Sequence, residues 1–272
     1  MQEVLSTKNR LTLQGIYDIL YSSYIGKENG MNRFFAEEIT DGKAYLSSED
    51  AYHLKNVLRA RLQERFEVCD GESREYIASL VALDKQSAVL EILEDVTVER
   101  EPKRDYYICQ GMPKGKKSDD VVRHGTELGM RGFCHVISQR VIVKNPGDYD
   151  KSDRLQRIAD EAAKQSKRIR IPKVMDAIKL EELVRSAPKD ALRIIAWEEE
   201  TELSLKKCLD AAGDPKEVYI LVGPEGGFER DEVELAKSYG WQSVTLGKRI
   251  LRTETAPLSM LSAVACYLGD ME

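Results

Sequence analysis

VYILVGPEGGFERDEVELA, residues 218–236, sets an unbroken apolar run ahead of a turn built from Gly223, Pro224, Glu225, Gly226 and Gly227, with a charge-rich run behind it. A short apolar run without polar alternation is the pattern of a strand buried on both faces. Leu221 lies inside that run, next to the turn. Three glycines permit tight turning and close approach of a ligand to main-chain groups, while Pro224 fixes one φ and removes one donor. Glu225 falls at the strand's carboxyl end, where open α/β sheets bind their ligands. Taken alone, a plain glycine-rich turn with a solvated glutamate accounts for these residues equally well.

The same alternation extends outward in both directions. DYYICQGM (105–112), FCHVISQ (133–139), LRIIAW (192–197) and SVTLG (243–247) are strand-like. Between and after them, DDVVRHGTELGM (119–130) behind a capping Ser118, RLQRIADEAAKQSKR (154–168), SLKKCLDAAG (204–213), ERDEVELAKSYG (229–240) and APLSMLSAVACYLG (256–269) read as helices. Residues 105–272 are therefore expected to form an α/β domain with a mainly parallel sheet covered on both faces. A charged, proline-bearing stretch at 99–104 reads as a linker. Ahead of it, residues 31–98 read as a small, mostly β domain. Ser47 and Ser48 cap one helix there, and FEVCDG, REYIASLVAL and SAVLEILEDV are separated by turn residues. Residues 1–30 hold one segment, LTLQGIYDILYSSY, that suits an amphipathic helix but suggests no chemistry, and Met31 is a second candidate start.

A length of 272 residues is comfortable for two domains, and 42% hydrophobic with 32% charged residues is a folded, soluble balance. No apolar run approaches the roughly 20 residues of a membrane helix, and the opening stretch does not read as a secretory signal. Five scattered cysteines without a CxxC pair, and three histidines without ligand spacing, argue for free thiols in a reducing cytoplasm and against a metal site. Net charge is −6, yet residues 151–173 carry eight basic and three acidic side chains. Such a stripe suits phosphates, with Arg168 and Arg170 as candidates, or is simply a solvated helix face. GMPKGKKS (111–118) imitates a phosphate-binding P-loop. Its glycines are one residue too close, and Lys116 is followed by Lys117.

LGKRILRTETAPL, residues 246–258, carries the second candidate feature. Leu246 and Gly247 end a short strand, and Lys248, Arg249, Arg252, Thr253, Glu254 and Thr255 crowd the approach to a helix with Pro257 in its first turn. An ordinary helix cap would use some of the same residues.

Together, GPEGGF (223–228) and LGKRILRTETAPL resemble the SPOUT superfamily of methyltransferases, and more closely the ribosomal RNA small subunit methyltransferase E family. MNRFF (31–35), HLKNVLR (53–59), KKSDDVVRHGTELGMRG (116–132), SQR (138–140) and EAAKQSKRIRIP (161–172) extend the likeness in order across nearly the whole chain from Met31. Two places depart from it: residues 1–30, and Arg123-His124-Gly125-Thr126 where the family more often has a Lys-Ala pair.

The resemblance implies a trefoil-knotted C-terminal domain behind a PUA-like, RNA-binding β-barrel, a homodimer, and transfer of a methyl group from S-adenosylmethionine (SAM) to N3 of a uridine in 16S ribosomal RNA of the small subunit. Carried over by position, the cofactor pocket would comprise Leu221, Gly223, Pro224, Glu225, Gly226, Leu246, Gly247, Ile250, Leu251, Arg252 and Thr253. Arg252 and Arg33 would stabilise negative charge on the pyrimidine, with Glu225 a candidate base. Lys55, Arg59, Arg140, Arg168 and Arg170 would hold RNA. Rival readings are a knotted enzyme acting on a ribose 2′-hydroxyl or another base, and a non-catalytic RNA-binding assembly protein. A dinucleotide dehydrogenase would need a glycine fingerprint that is missing.

Overall fold

A computed structural model describes residues 31–141 and 152–271. The helix expected within 1–30 lies outside the described residues. The first unit is a closed five-stranded barrel: β1 (Arg33–Thr40), β2 (Lys43–Leu46), β3 (Arg65–Cys69), β4 (Glu75–Leu83) and β5 (Ala88–Asp95), ordered β1-β2-β5-β4-β3. Antiparallel pairs form most of the wall, and a parallel β1–β3 pair closes it, with Arg33 opposite Glu67. Closure removes the exposed edges an open sheet would present. Phe34, Leu46, Phe66, Val68, Leu80 and Leu90 fill the interior. Helix α1 (Ser48–Tyr52) starts where expected, Ser47 accepting the Asp50 N–H at 3.1 Å. It runs on into a π-helical turn, His53–Leu58, that ends at Arg59 with φ +52°.

The second unit is a six-stranded sheet in which every pairing is parallel. Its strands are β6 (Asp105–Gly111), β7 (Gly132–Ile137), β8 (Lys173–Lys179), β9 (Leu192–Ala196), β10 (Glu217–Val222) and β11 (Gln242–Val244), ordered β11-β9-β10-β6-β7-β8. On one face pack α2 (Lys117–Glu127), α3 (Ser152–Gln165), α5 (Leu205–Asp210) and α7 (Ala256–Tyr267). On the other pack α4 (Leu180–Ser186) and α6 (Arg230–Ser238). Strand β10 explains the unbroken apolar run. Val218, Ile220 and Val222 enter the first core and Leu221 the second, so both faces need apolar side chains.

β8 and α4 escaped the sequence reading because β8 is an edge strand whose residues are only half-buried or exposed, which leaves no clean periodicity. Ser118 differs from its expected role. Lys116 occupies the cap position of α2 without a side-chain bond, and the Ser118 hydroxyl is turned inward, 2.7 Å from His135 Nε2. All five cysteines are free and four are buried. Among the described residues, no helix is long and apolar enough to cross a membrane.

Barrel and sheet meet through a small apolar contact of Phe35, Cys69, Ala163 and Ile171, framed by ion pairs. Arg33 Nε bonds Glu67 at 3.1 Å, and its guanidinium also engages Glu75. Arg33 Nη1 donates across the seam to the Arg168 carbonyl at 2.9 Å. Arg168 in turn bonds Glu101 at 2.6 Å and donates to the carbonyls of Thr126 (3.0 Å) and Met130 (2.7 Å). Desolvation at this seam pushes the Cys69 thiol up to about 12, with the neighbouring Arg33 opposing it.

Candidate active site

The two glycine-bearing turns open from the carboxyl ends of β10 and β11, which flank β9 on either side, the position that parallel sheets reserve for ligands. They line one cavity of about 870 Å³. The end of β10 and its turn, Val222–Gly227, line one part of it. Ala196 at the end of β9 with Trp197, Glu198, Glu200 and Thr201 beyond it line a second part, and Thr245 to Thr253, following β11, a third. The turns are also bonded together: Thr253 Oγ1 donates to the Gly223 carbonyl at 2.8 Å.

Behind them lies a buried polar chain that composition does not reveal. Gln110, fully buried at the end of β6, donates from Nε2 to the Thr253 carbonyl at 2.8 Å and reaches Thr253 Oγ1 at 3.3 Å. Ser118 donates to Gln110 Oε1 at 3.3 Å, which links the chain to His135. Buried groups satisfied in this way specify one arrangement of the loops, because each lost bond leaves an unpaired polar atom in the core. Next door, Gly111 fits only without a side chain, since a Cβ there would overlap the Pro224 ring and nitrogen.

The charges around the cavity are unequally committed. Lys117 bonds Glu225 at 2.8 Å, and the Lys114 N–H donates to the same carboxylate at 3.1 Å. Partial burial alone would raise the Glu225 carboxyl; the Lys117 ammonium and the backbone N–H donors outweigh it and hold the group below its ordinary range. Glu200 accepts from the N–H groups of Glu202 (2.9 Å) and Leu203 (3.3 Å). Lys248, Arg249, Ile250 and Arg252 are exposed on the loop after β11, with Arg252 84% exposed and its nearest carboxylate among the described residues, Glu254, 3.9 Å away.

Residues 99–265 match the family model described as an RNA methyltransferase domain, and residues 46–93 match an RNA methyltransferase PUA domain. The ribosomal RNA small subunit methyltransferase E of Bacillus subtilis is 32% identical over 86% of this chain and 96% of its own length. The chain belongs to the ribosomal RNA small subunit methyltransferase E family. A crystal structure of the Neisseria gonorrhoeae family member, bound to SAM, superposes with a TM-score of 0.77 at 33% identity, covering 87% of this chain and 97% of that one. A Legionella pneumophila structure described as a putative methyltransferase in complex with SAM gives 0.76 at 28% identity, over 87% and 97%.

Within this methyltransferase E fold, Gly223, Pro224, Glu225, Gly226, Leu246, Gly247, Ile250, Leu251, Arg252 and Thr253 all border the cavity. Leu221 does not; it is fully buried in the core on the α4/α6 face, because side chains alternate along β10. Arg33 lies apart from the cavity, buried among Glu67, Glu75 and the Arg168 carbonyl, so it has no free edge to offer a base. Arg168 is likewise buried, and Arg170 donates from Nε to the Glu72 carbonyl at 3.0 Å while its Nη1 sits 3.6 Å from Asp105. Arg140 lies on Gly226 and pairs with Glu229 at 2.8 Å. Of the five expected RNA-facing cations, Lys55 and Arg59 are exposed and form no ion pair among the described residues. The sequence reading missed Gln110, His135, Lys117 and Glu198. For Glu198 a signal existed: it follows LRIIAW at a strand's carboxyl end, as Glu225 follows VYILVG.

Proposed function

We propose that this chain methylates N3 of a uridine in 16S ribosomal RNA of the small subunit, taking the methyl group from SAM. The observation that carries the reading is one cavity bordered by both glycine-bearing turns at the carboxyl ends of parallel strands. Its volume of about 870 Å³ lies within the range of small-molecule sites, roughly 300–1,000 Å³. Val222, Leu246, Leu251 and Ala256 offer an apolar wall suited to adenine, and the turn backbones offer donors and acceptors for ribose and amino-acid groups. Bound there, SAM supplies a methyl group on a sulfonium that departs as a neutral thioether.

The protein's task is then mainly orientation. For N3 to attack, its proton must leave, and negative charge spreads onto the pyrimidine oxygens. Arg252, extended beside the cavity and only loosely tied to Glu254, is suited to stabilise that charge. Glu225 is poorly suited to remove the proton: held below its ordinary range and bonded to Lys117, it is a weaker base than a free carboxylate. We assign Glu225 to shaping its turn and assign no protein base. Lys248 and Arg249 beside Arg252, with Lys55 and Arg59 on the barrel, are suited to RNA phosphates. Base extrusion would bring a paired uridine within reach.

We further propose knotted threading of the cavity turns, supported by the tight contact of Gly111 with Pro224 and the Thr253–Gly223 bond. We also propose a cytoplasmic homodimer, in which a second copy covers the open rim where Ile250 is 90% exposed. Mass mapping of 16S rRNA incubated with the protein and isotopically labelled SAM tests the assignment. An added labelled methyl on a uridine base at N3 is the expected result. Label on a ribose would move the chain to the 2′-hydroxyl enzymes, and no label would overturn the reading.

A further inference from the structure

We propose that Glu198 sets the preference of this cavity for SAM over its demethylated product, by presenting a carboxylate to the sulfonium. The inference rests on the cofactor reading above. Among the described residues three acidic side chains line the cavity, and their commitments differ. Glu225 is neutralised by Lys117 at 2.8 Å, and Glu200 is bound to two backbone N–H groups with Lys237 3.9 Å away. Glu198 is exposed at the cavity wall and makes no hydrogen bond or ion pair among the described residues. Arg140, the cation whose charge it influences, spends its own bonds on Glu229 and the Gly226 carbonyl.

The main chain around Glu198 is arranged to admit it. Gly227, with φ +69°, lies against the Glu198 carboxylate, and a Cβ at that position would run into its oxygens. Of the cations that line the cavity, Lys117 is spent on Glu225, and Lys248, Arg249 and Arg252 belong to the loop after β11. The segment after β9 therefore presents a carboxylate with no bonded cation, and the loop after β11 presents cations with no close carboxylate among the described residues.

The chemistry says what the negative charge is for. SAM carries a sulfonium, an ammonium and a carboxylate. After methyl transfer the carbon–sulfur bond has broken, its electron pair stays on sulfur, and S-adenosylhomocysteine keeps the ammonium and carboxylate but has lost the sulfonium charge. A carboxylate near sulfur attracts the reactant and is indifferent to the product, so it favours loading and product release together. A carboxylate reading only the ammonium would treat both alike.

Calorimetric titration of wild type and Glu198→Gln with SAM, S-adenosylhomocysteine and sinefungin, whose amine replaces the methylsulfonium and carries a positive charge, separates these cases. The expected result is a loss of roughly five- to tenfold in affinity for SAM and sinefungin, with less than a twofold change for S-adenosylhomocysteine. Equal losses for all three, or no loss for any, overturn the proposal while leaving the cofactor site intact. Wild-type protein that binds none of them overturns the site reading itself and this proposal with it. Should Glu198→Gln not fold, wild-type titrations from low to high salt replace it. The preference for SAM over S-adenosylhomocysteine should then narrow as screening rises, and a constant preference overturns the proposal.

Discussion

Two cationic regions of this molecule have nearly the same composition and opposite fates. At the seam between barrel and sheet, Arg33, Arg168 and Arg170 are bonded to Glu67, Glu75, Glu101, Asp105 and several carbonyls. On the loop beside the cavity, Lys248, Arg249 and Arg252 have no carboxylate among the described residues closer than the 3.9 Å between Arg252 and Glu254. A guanidinium already saturated by its own chain has nothing left for RNA, and removing it would leave a buried carboxylate unpaired. An exposed one costs the fold little and remains available. Availability, and not the number of basic residues in a segment, separates a nucleic-acid contact from a domain clamp.

Replacing Arg168 by alanine tests the seam most severely. Glu101, with its side chain 11% exposed, and the Thr126 and Met130 carbonyls would all lose their partner. The expected cost is about 3–5 kcal/mol, a fall in melting temperature on the order of 10 °C. A melt within about 2 °C of wild type would mean that the seam ion pairs are dispensable.

Arg252→Ala should behave in the opposite way. With the side chain 84% exposed, the melting temperature should stay where it is. Methyl transfer to small-subunit RNA should fall by at least ~100-fold, the usual loss when one charge-stabilising donor is removed. Retained activity would take Arg252 out of the reaction. The double substitution of Lys248 and Arg249 by alanine should act on RNA alone in a third way. The slope of log affinity against log salt should shrink by roughly 1.5, the contribution of two released phosphate contacts. An unchanged slope would show that this loop faces something other than RNA.

The same contrast explains what could be read from residues alone. Strand and helix order was legible from 105 onward because doubly covered strands are apolar throughout, and the two glycine turns were legible because they sit at strand ends. β8 was not, since a half-exposed edge strand leaves a diluted pattern. The basic run at 151–173 was visible, but not its direction. Arg168 and Arg170 follow Lys167, a non-glycine residue at φ +58°, and that left-handed turn ends α3 and sends the chain to the seam. Gln110 and His135 were invisible for a related reason. Single polar residues inside apolar strands gain meaning only when Thr253 and Ser118 arrive from positions remote in sequence.

The mildest test of the comparison is acid. Glu101 is largely buried, which alone would raise its carboxyl. The Arg168 guanidinium and the N–H groups of Arg170 and Ile169 outweigh burial and hold it below the ordinary 4.5. A carboxyl depressed in the native state stabilises the fold fully above its ordinary value. That contribution fades as pH falls from there through the lower native value, because the unfolded chain takes up the proton first. Wild-type stability should therefore begin to decline below about pH 4.5 in part through Glu101. Glu101→Gln should be less stable at neutral pH, where the ionised pair is intact, and should lose less on acidification, so the two denaturation curves converge. Parallel curves from pH 7 to 3 would remove Glu101 from the acid response and with it the view that the seam arginines are held by full charge pairing. The rim offers the control: Arg252→Ala removes no buried pair, and its acid profile should overlay the wild type.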